Sequence, residues 1–234
     1  MRQPKNVAVL NTIVERHQNL DTVVESILPQ VDTLYINLVG YDLVPSRLKR
    51  HKKIKPILMP RYAGSETRLL YRYHHPNDYY FPIDDDIIYP ANYCDRHISV
   101  IQQLDKKQII TCVHGSIINK QQGKDYYKRG RVVFMLDSEL RHNTAVDIPG
   151  TGTSCFPPGI IPDFELNEFP TRNMTDVVVG CKARKQSIEV VSITRPKNWL
   201  KQVNQHGTSI WGNNPHTEID ELINRVFTHV HVCV

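Results

Sequence analysis

Between residues 79 and 90 the chain reads Tyr-Tyr-Phe-Pro-Ile-Asp-Asp-Asp-Ile-Ile-Tyr-Pro, three consecutive carboxylates held between two apolar runs. The apolar residues read as a buried strand and its exit. Three adjacent like charges repel one another unless a cation neutralises them. Hard oxygen ligands at a strand end suit Mg2+ or Mn2+, ions that complete their shells with substrate phosphates. The plainer alternative is an acidic turn facing water, but such turns seldom abut strand-like residues on both sides.

The stretches before it supply the rest of a sheet. Val7–Val14 is a short β-rich run of the length of a buried parallel strand. A helical pattern follows, with Leu20, Val23, Val24, Ile27 and Leu28 on one face, Asn19 or Asp21 as its cap, and Pro29 at its end. Thr33–Val39 is a second strand, and Ile54–Met59, after a basic segment Arg47–Lys55, a third. Strands joined by short crossovers make a parallel sheet, whose ligands bind beyond the carboxyl ends of its strands. The polar residues there are Thr12 to Arg16, Asn37 to Asp42, Arg61 to Arg68 and Asp84 to Asp86. Gly64–Tyr73 reads as a helix opening capped by Ser65, with Arg68 facing either a pyrophosphate or solvent.

The second half is less regular. A helix is expected from Pro90 to Leu104, a strand bent at Gly115 over Gln108–Ile118, an exposed Lys-rich loop over Asn119–Arg131, and short strands at Val132–Leu136 and Thr144–Ile148. Gly150-Thr151-Gly152-Thr153 lets backbone approach a sugar or phosphate, or is simply a turn; without a following Gly-Lys-Ser/Thr it is not a Walker loop. Asp176 opens an apolar helical run to Arg184, as a cap or as a functional acid. A strand Ile188–Ile193, a lid-like tail from Arg195 and a last helix Glu218–Thr228 complete the chain. There is no internal repeat, so we expect one unit, residues 1–234, with a nucleotide-type half to about residue 105 and an acceptor-type half beyond it.

Composition narrows the class. A mean hydropathy of −0.39 and 23% charged residues describe an ordinary globular chain. A net charge of +5 admits an anionic substrate or membrane surface without demanding nucleic acid. No apolar run approaches the ~20 residues of a membrane span, and residues 1–6 lack a secretory h-region. Five scattered cysteines with no Cys-x-x-Cys pair argue against zinc and disulfides, so a cytoplasmic location is expected.

At this point the chain resembles the glycosyltransferases of the GT-A fold, in particular the family-2-like set with its small viral and bacterial members. Ala8-Val9-Leu10-Asn11-Thr12-Ile13, Arg16 and the run Leu20 to Asp32 resemble the first strand, helix and second-strand entry of that fold. Tyr80 to Pro90 resembles its Asp-x-Asp strand, and His114-Gly115, Gly150 to Thr153 and Asn173 to Asp176 its acceptor-side segments. The resemblance implies an α/β GT-A architecture: a Rossmann-like, mostly parallel central sheet flanked by helices, with a smaller acceptor-side lobe. It implies a nucleoside-diphosphate sugar donor, most readily a uridine one, a glycan or glycoconjugate acceptor, and Mn2+ or Mg2+ as cofactor. Asp86 would bind the metal, Asp84 the nucleoside, and Asp85 would stand nearby. Thr12, Ile13, Arg16 and Asn37 would lie against the donor's base, and Arg68 and Gly150, Thr151, Gly152 and Thr153 along its phosphates or sugar. His206 would be a further metal ligand, with His114 and His216 as rivals, and Asp176 the catalytic base. The chain departs from the family pattern in Thr175-Asp176, where Glu-Asp is common, and in Asn37, where an acid is usual.

Two other readings use the same acids. A metal-dependent nucleotidyltransferase or phosphatase would use the triplet for metal, but the former usually carries a Gly-rich, basic loop after its first strand, unlike Asn11–Arg16. A non-catalytic carbohydrate- or nucleotide-binding module would keep the fold without turnover.

Overall fold

The structure, a computed structural model, describes residues 2–105, 108–119, 126, 130–160, 174–203 and 216–228. Strand β1 (Asn6–Ile13) runs parallel to β2 (Thr33–Val39), and β2 to β3 (Ile54–Met59). On its other side β1 pairs in parallel with β4 (Tyr79–Ile83), giving the order β3-β2-β1-β4. The right-handed crossover expected of such units is filled between β1 and β2 by a 3-10 helix (Val14–Asn19) that runs directly into helix α1 (Leu20–Ile27). Because the chain is already coiled there, neither Asn19 nor Asp21 caps the helix. Leu20, Val23, Val24 and Ile27 are buried, each contributing about 1.5–3 kcal/mol against the sheet. A single helical turn, α2 (Ser46–Lys49), precedes β3.

After β4 a short β5 (Ile87–Ile88) follows the acidic turn, and helix α3 (Tyr93–Leu104) covers the sheet. The region expected to be one bent strand is two: β6 (Ile109–Cys112) and β7 (Gly115–Ile118), parted at Val113-His114 and placed in different sheets. β7 joins β8 (Arg131–Phe134) and β10 (Ile148–Pro149), while β9 (Thr144–Val146) pairs with β12 (Glu189–Ser192). β6 lies between parallel β12 and antiparallel β11 (Ser154–Cys155). Two antiparallel bridges, Tyr80 to Phe156 and Ile83 to Thr153, stitch β4 to the β11 segment and so join the two sheets.

Alternation along the strands divides the core between two faces. Ala8, Leu10, Leu34, Ile36, Phe81 and Ile109 pack with α1 and α3. Val7, Val9, Tyr80, Ile110 and Val190 pack on the other face with α4 (Thr175–Lys185) and α5 (His216–Ile223), which continues as a π-helical turn to Thr228. Gly180 belongs to this second layer, because a Cβ there would come within 2.8 Å of the Asp147 carbonyl. The tail is tied down rather than lying loose over its described part. Arg195 is buried and donates to the carbonyls of Met135, Ser138 and Ile193, Leu200 is buried, and β13 (Lys201–Gln202) pairs with β5. Cys94, Cys112, Cys155 and Cys181 are buried free thiols.

Candidate functional site

β4 delivers Asp84, Asp85 and Asp86 to the carboxyl edge of the parallel sheet, beside the turn that leaves β1. Two arginines meet them there. Arg16, in the 3-10 turn after β1, donates through Nη1 to Asp85 Oδ1 at 2.7 Å and lies 3.5 Å from Asp86 Oδ2. Arg68, from the 3-10 helix Ser65–His74, is buried and donates through Nη1 to Asp84 Oδ1 and the Ile83 carbonyl. The triplet is therefore largely neutralised by the chain's own cations. Burial lowers the Arg16 and Arg68 pKa values, but the neighbouring carboxylates more than offset this and leave both raised. Burial pushes the Asp85 carboxyl above its usual value, with Arg16 opposing. Thr12, buried at the end of β1, stands beside Asp85.

The opposite wall comes from the second half. Gly150 to Thr153 form a tight turn on β6 and β7: Gly150 N–H donates to the His114 carbonyl, and the Thr153 hydroxyl accepts from His114 N–H while donating to the Gly150 carbonyl. A Cβ on Gly152 would overlap the Asp84 carboxylate, and one on Gly150 would stand 2.7 Å from His114 Cβ. Tyr89 locks the walls together, its hydroxyl accepting from Asp84 N–H at 2.8 Å and donating to the Gly152 carbonyl at 2.7 Å. Burial, reinforced by Asp84, raises the Tyr89 pKa well above its ordinary value, so this hydroxyl stays neutral.

Asp176 lies in the first turn of α4 but caps nothing in that helix. Its Oδ1 accepts from Thr151 N–H at 2.8 Å, which fastens α4 to the Gly-Thr-Gly-Thr turn. Asp84 lies against Gly152 and Asp176 accepts from Thr151 N–H, so the two carboxylates meet the same turn at neighbouring residues. Burial lowers the His114 pKa against the pull of Asp176. Its buried Nδ1 and the buried Thr151 hydroxyl have no hydrogen-bond partner among the described residues.

Several sequence expectations change here. Asn37 is not at a ligand-facing strand end. It is fully buried within β2, donating to Asn11 Oδ1 and accepting from the Tyr71 hydroxyl, so its amide is consumed inside the fold. Ser65 is not the N-cap of its 3-10 helix, a position held by Gly64. Arg68 faces neither solvent nor open space but Asp84. The amides of Gly150, Thr151 and Thr153 are likewise committed to partners within the protein. Ile13 is half-buried, and its carbonyl accepts from the Tyr41 hydroxyl. His206 lies outside the described residues, and of His216 only its place at the start of α5 is described. Val203 N–H donates to the Asp86 carbonyl at 2.8 Å, so the described tail reaches the acidic turn. Tyr89 and Asn11 were not foreseen as site-builders, and no spacing signal marks either one.

Among the described residues, no three His, Cys, Asp or Glu side chains form a closed metal cage. Mg2+ or Mn2+ does not need one, since such ions are commonly held by one or two carboxylates with waters and substrate phosphates. Asp84, whose side chain is 35% exposed, and Asp86 are hard oxygen donors of that kind.

No family model matches this chain, and no curated protein matches it in sequence. Among solved structures it is similar to a 4-diphosphocytidyl-2C-methyl-D-erythritol synthase, with 10% identity and a TM-score of 0.51 over 88% of this chain and 95% of the other. It is also matched by a CMP:2-keto-3-deoxy-manno-octonic acid synthetase complexed with CTP, at 9% identity and a TM-score of 0.46 over 80% and 88% of the two chains. At such identity the first likeness is one of fold: an α/β architecture with a central parallel sheet flanked by helices, as the sequence led us to expect.

Proposed function

We propose that this protein transfers a sugar from a nucleoside-diphosphate sugar, most readily a uridine one, to a hydroxyl of a glycan or glycoconjugate. The observation that supports the reading is that two carboxylates are fastened to one turn: Asp84 at the end of β4, tied to Gly152 through Tyr89, and Asp176 at the start of α4, bonded to Thr151. In this reading Asp176 accepts the proton of the acceptor hydroxyl as that oxygen bonds to the anomeric carbon. The bond from the anomeric carbon to the diphosphate oxygen breaks, and its electron pair leaves with the nucleoside diphosphate. Asp84 and Asp86 would hold Mg2+ or Mn2+, which when bound supplies positive charge to the departing diphosphate. Arg16, seated on Asp85 beside Asp86, adds a fixed charge at the same edge. His114, kept neutral by burial, offers a ring nitrogen next to Asp176 for the acceptor.

The second reading is nucleotidyl transfer. It is favoured by the likeness of fold to a protein named for a diphosphocytidyl product. The turn after β1 bears on it from the other side, since Val-Glu-Arg-His-Gln-Asn contains no glycine and a single arginine, already engaged by Asp85.

One experiment separates the two. A panel of nucleoside-diphosphate sugars and, separately, CTP with sugar phosphates is incubated with the protein and Mn2+ or Mg2+. Released nucleoside diphosphate supports sugar transfer, and released pyrophosphate supports the second reading. Turnover of neither, together with thermal stability indifferent to UDP, CTP and metal, would discard both.

A further inference from the structure

The surplus positive charge of this chain is confined to one stretch. Residues 40–63 hold seven lysines and arginines against Asp42 alone, a net of +6, whereas the whole chain is +5. Everything outside that stretch therefore sums to −1. The stretch forms the flank of the sheet: α2 and the edge strand β3, which among the described residues pairs only with β2. Arg47 is held by Asp21 and Arg61 by Glu15, but no ion pair among the described residues engages Lys49, Arg50, Lys52, Lys53 or Lys55. Lysine on an edge strand discourages strand addition, yet one or two charges suffice for that, and four of these five lie outside β3.

The flank also carries apolar tips. The loops that leave β1, β2 and β3 lie side by side at the carboxyl edge. Arg61 reaches Glu15 across them, Gly40 rests against the Arg61 stem, and Arg47 and Tyr41 both meet His17. From these loops Leu43 stands 80% exposed, Tyr62 67% and Val14 41%. Leu43 lies four residues before Arg47, and Tyr62 directly follows Arg61, the last cation of the stretch.

We infer that this flank docks on a membrane surface rich in anionic lipid headgroups. Lys49, Arg50, Lys52 and Lys55 supply the charge attraction, and Leu43 and Tyr62 enter the interface from the carboxyl end of the same flank. A polyanion such as nucleic acid would use the cations equally well but would gain little from a fully projecting leucine. Among the described residues no helix is long and apolar enough to cross a membrane.

The test is co-sedimentation of the full chain with vesicles of phosphatidylcholine alone and of phosphatidylcholine with phosphatidylglycerol. Binding is expected only to the anionic vesicles, and it should vanish near 0.5 M NaCl, where the screening length is about 4 Å. The triple variant Lys49→Gln/Arg50→Gln/Lys52→Gln should weaken partitioning on the order of 100-fold. Leu43→Ser/Tyr62→Ser should weaken it with little change in the salt dependence. All five side chains are solvent-facing, so each variant should keep the parental Tm, which serves as the folding control. Equal sedimentation with neutral and anionic vesicles overturns the proposal. So does retention on single-stranded nucleic acid with no vesicle binding, and so does a triple variant that partitions like the parent.

Discussion

Removal of Arg16 tests most directly how the acidic turn is held. Its Nη1 is 2.7 Å from one Asp85 oxygen and 3.5 Å from an Asp86 oxygen, and all three side chains are mostly buried. At an effective dielectric near 20 these pairs correspond to about 6 and about 5 kcal/mol of gross attraction, most of it offset by desolvation. Arg16→Met removes the attraction and leaves the desolvation of two adjacent carboxylates, a case that costs roughly 3–5 kcal/mol. For a chain of this length that lowers Tm by roughly 10 °C. The pH dependence follows from the raised Asp85 value. A carboxyl whose folded pKa exceeds its unfolded one favours the fold below the unfolded value, and that contribution is lost as pH rises through the folded pKa. In the variant Asp85 rises further, so the deficit against wild type should be full at pH 7 and shrink toward about pH 4 as the acids take up protons. Millimolar Mn2+ at pH 7 should recover part of the deficit by standing in for the guanidinium. Circular dichroism melts at both pH values, with and without metal, supply the comparison. A variant as stable as wild type at pH 7, or a deficit that does not change with pH, would refute the account of Arg16 as counter-ion to the turn.

Asp84 and Asp176 should separate cleanly by variant. Asp84→Ala strands the buried Arg68 guanidinium and should cost about 3–5 kcal/mol in chemical denaturation. Asp176→Asn keeps an oxygen for the Thr151 N–H, so turnover should fall at least 100-fold with Tm unchanged, and a matching loss of Tm would make Asp176 a structural residue. Gly152→Ala forces the Asp84 carboxylate aside and should lose about 1–3 kcal/mol along with nucleotide binding, read by melting and by titration calorimetry; wild-type affinity would contradict the close approach. His97 is buried against Phe81 and Tyr93, its Nδ1 is 2.8 Å from the Thr111 hydroxyl, and burial pulls its pKa down to about 3. A depressed histidine stabilises the fold above its unfolded value near 6.5 and loses that contribution as pH falls toward its folded value. Stability should therefore decline from pH 6.5 to 3, by at most about 4–5 kcal/mol from this group, and His97→Gln should flatten the slope.

The strands of the first half were readable because each is a short, mostly apolar run between turn residues, and the rule for parallel sheets then placed Asp84–Asp86 at the ligand edge. Local pattern could not reveal the partners of those acids. Arg16 and Asp85 lie 69 residues apart, and nothing near Arg16 distinguishes it from a solvated arginine. Asn37 looked like a strand-end polar residue, yet its β2 register places it opposite Asn11, to whose Oδ1 it donates while its own Oδ1 accepts from the Tyr71 hydroxyl. The run from Gln108 to Ile118 concealed a sheet change, because Val113 and His114 are apolar or aromatic enough to pass for strand interior. Asp176 had every local mark of a helix cap, and only the fold shows its oxygen turned to a different loop.

The bridges between Tyr80 and Phe156 and between Ile83 and Thr153 have a consequence for how such a chain can be divided. β4 is bordered by β1 on one side and meets the second half through these bridges on the other. A fragment ending after α3 would keep four parallel strands and their helices but bare one long, apolar border of β4. That border would recruit strands from other copies before it could bind any ligand. The two halves are thus joined along a strand border and not merely by a linker, so a cut between them exposes backbone that the whole chain keeps paired.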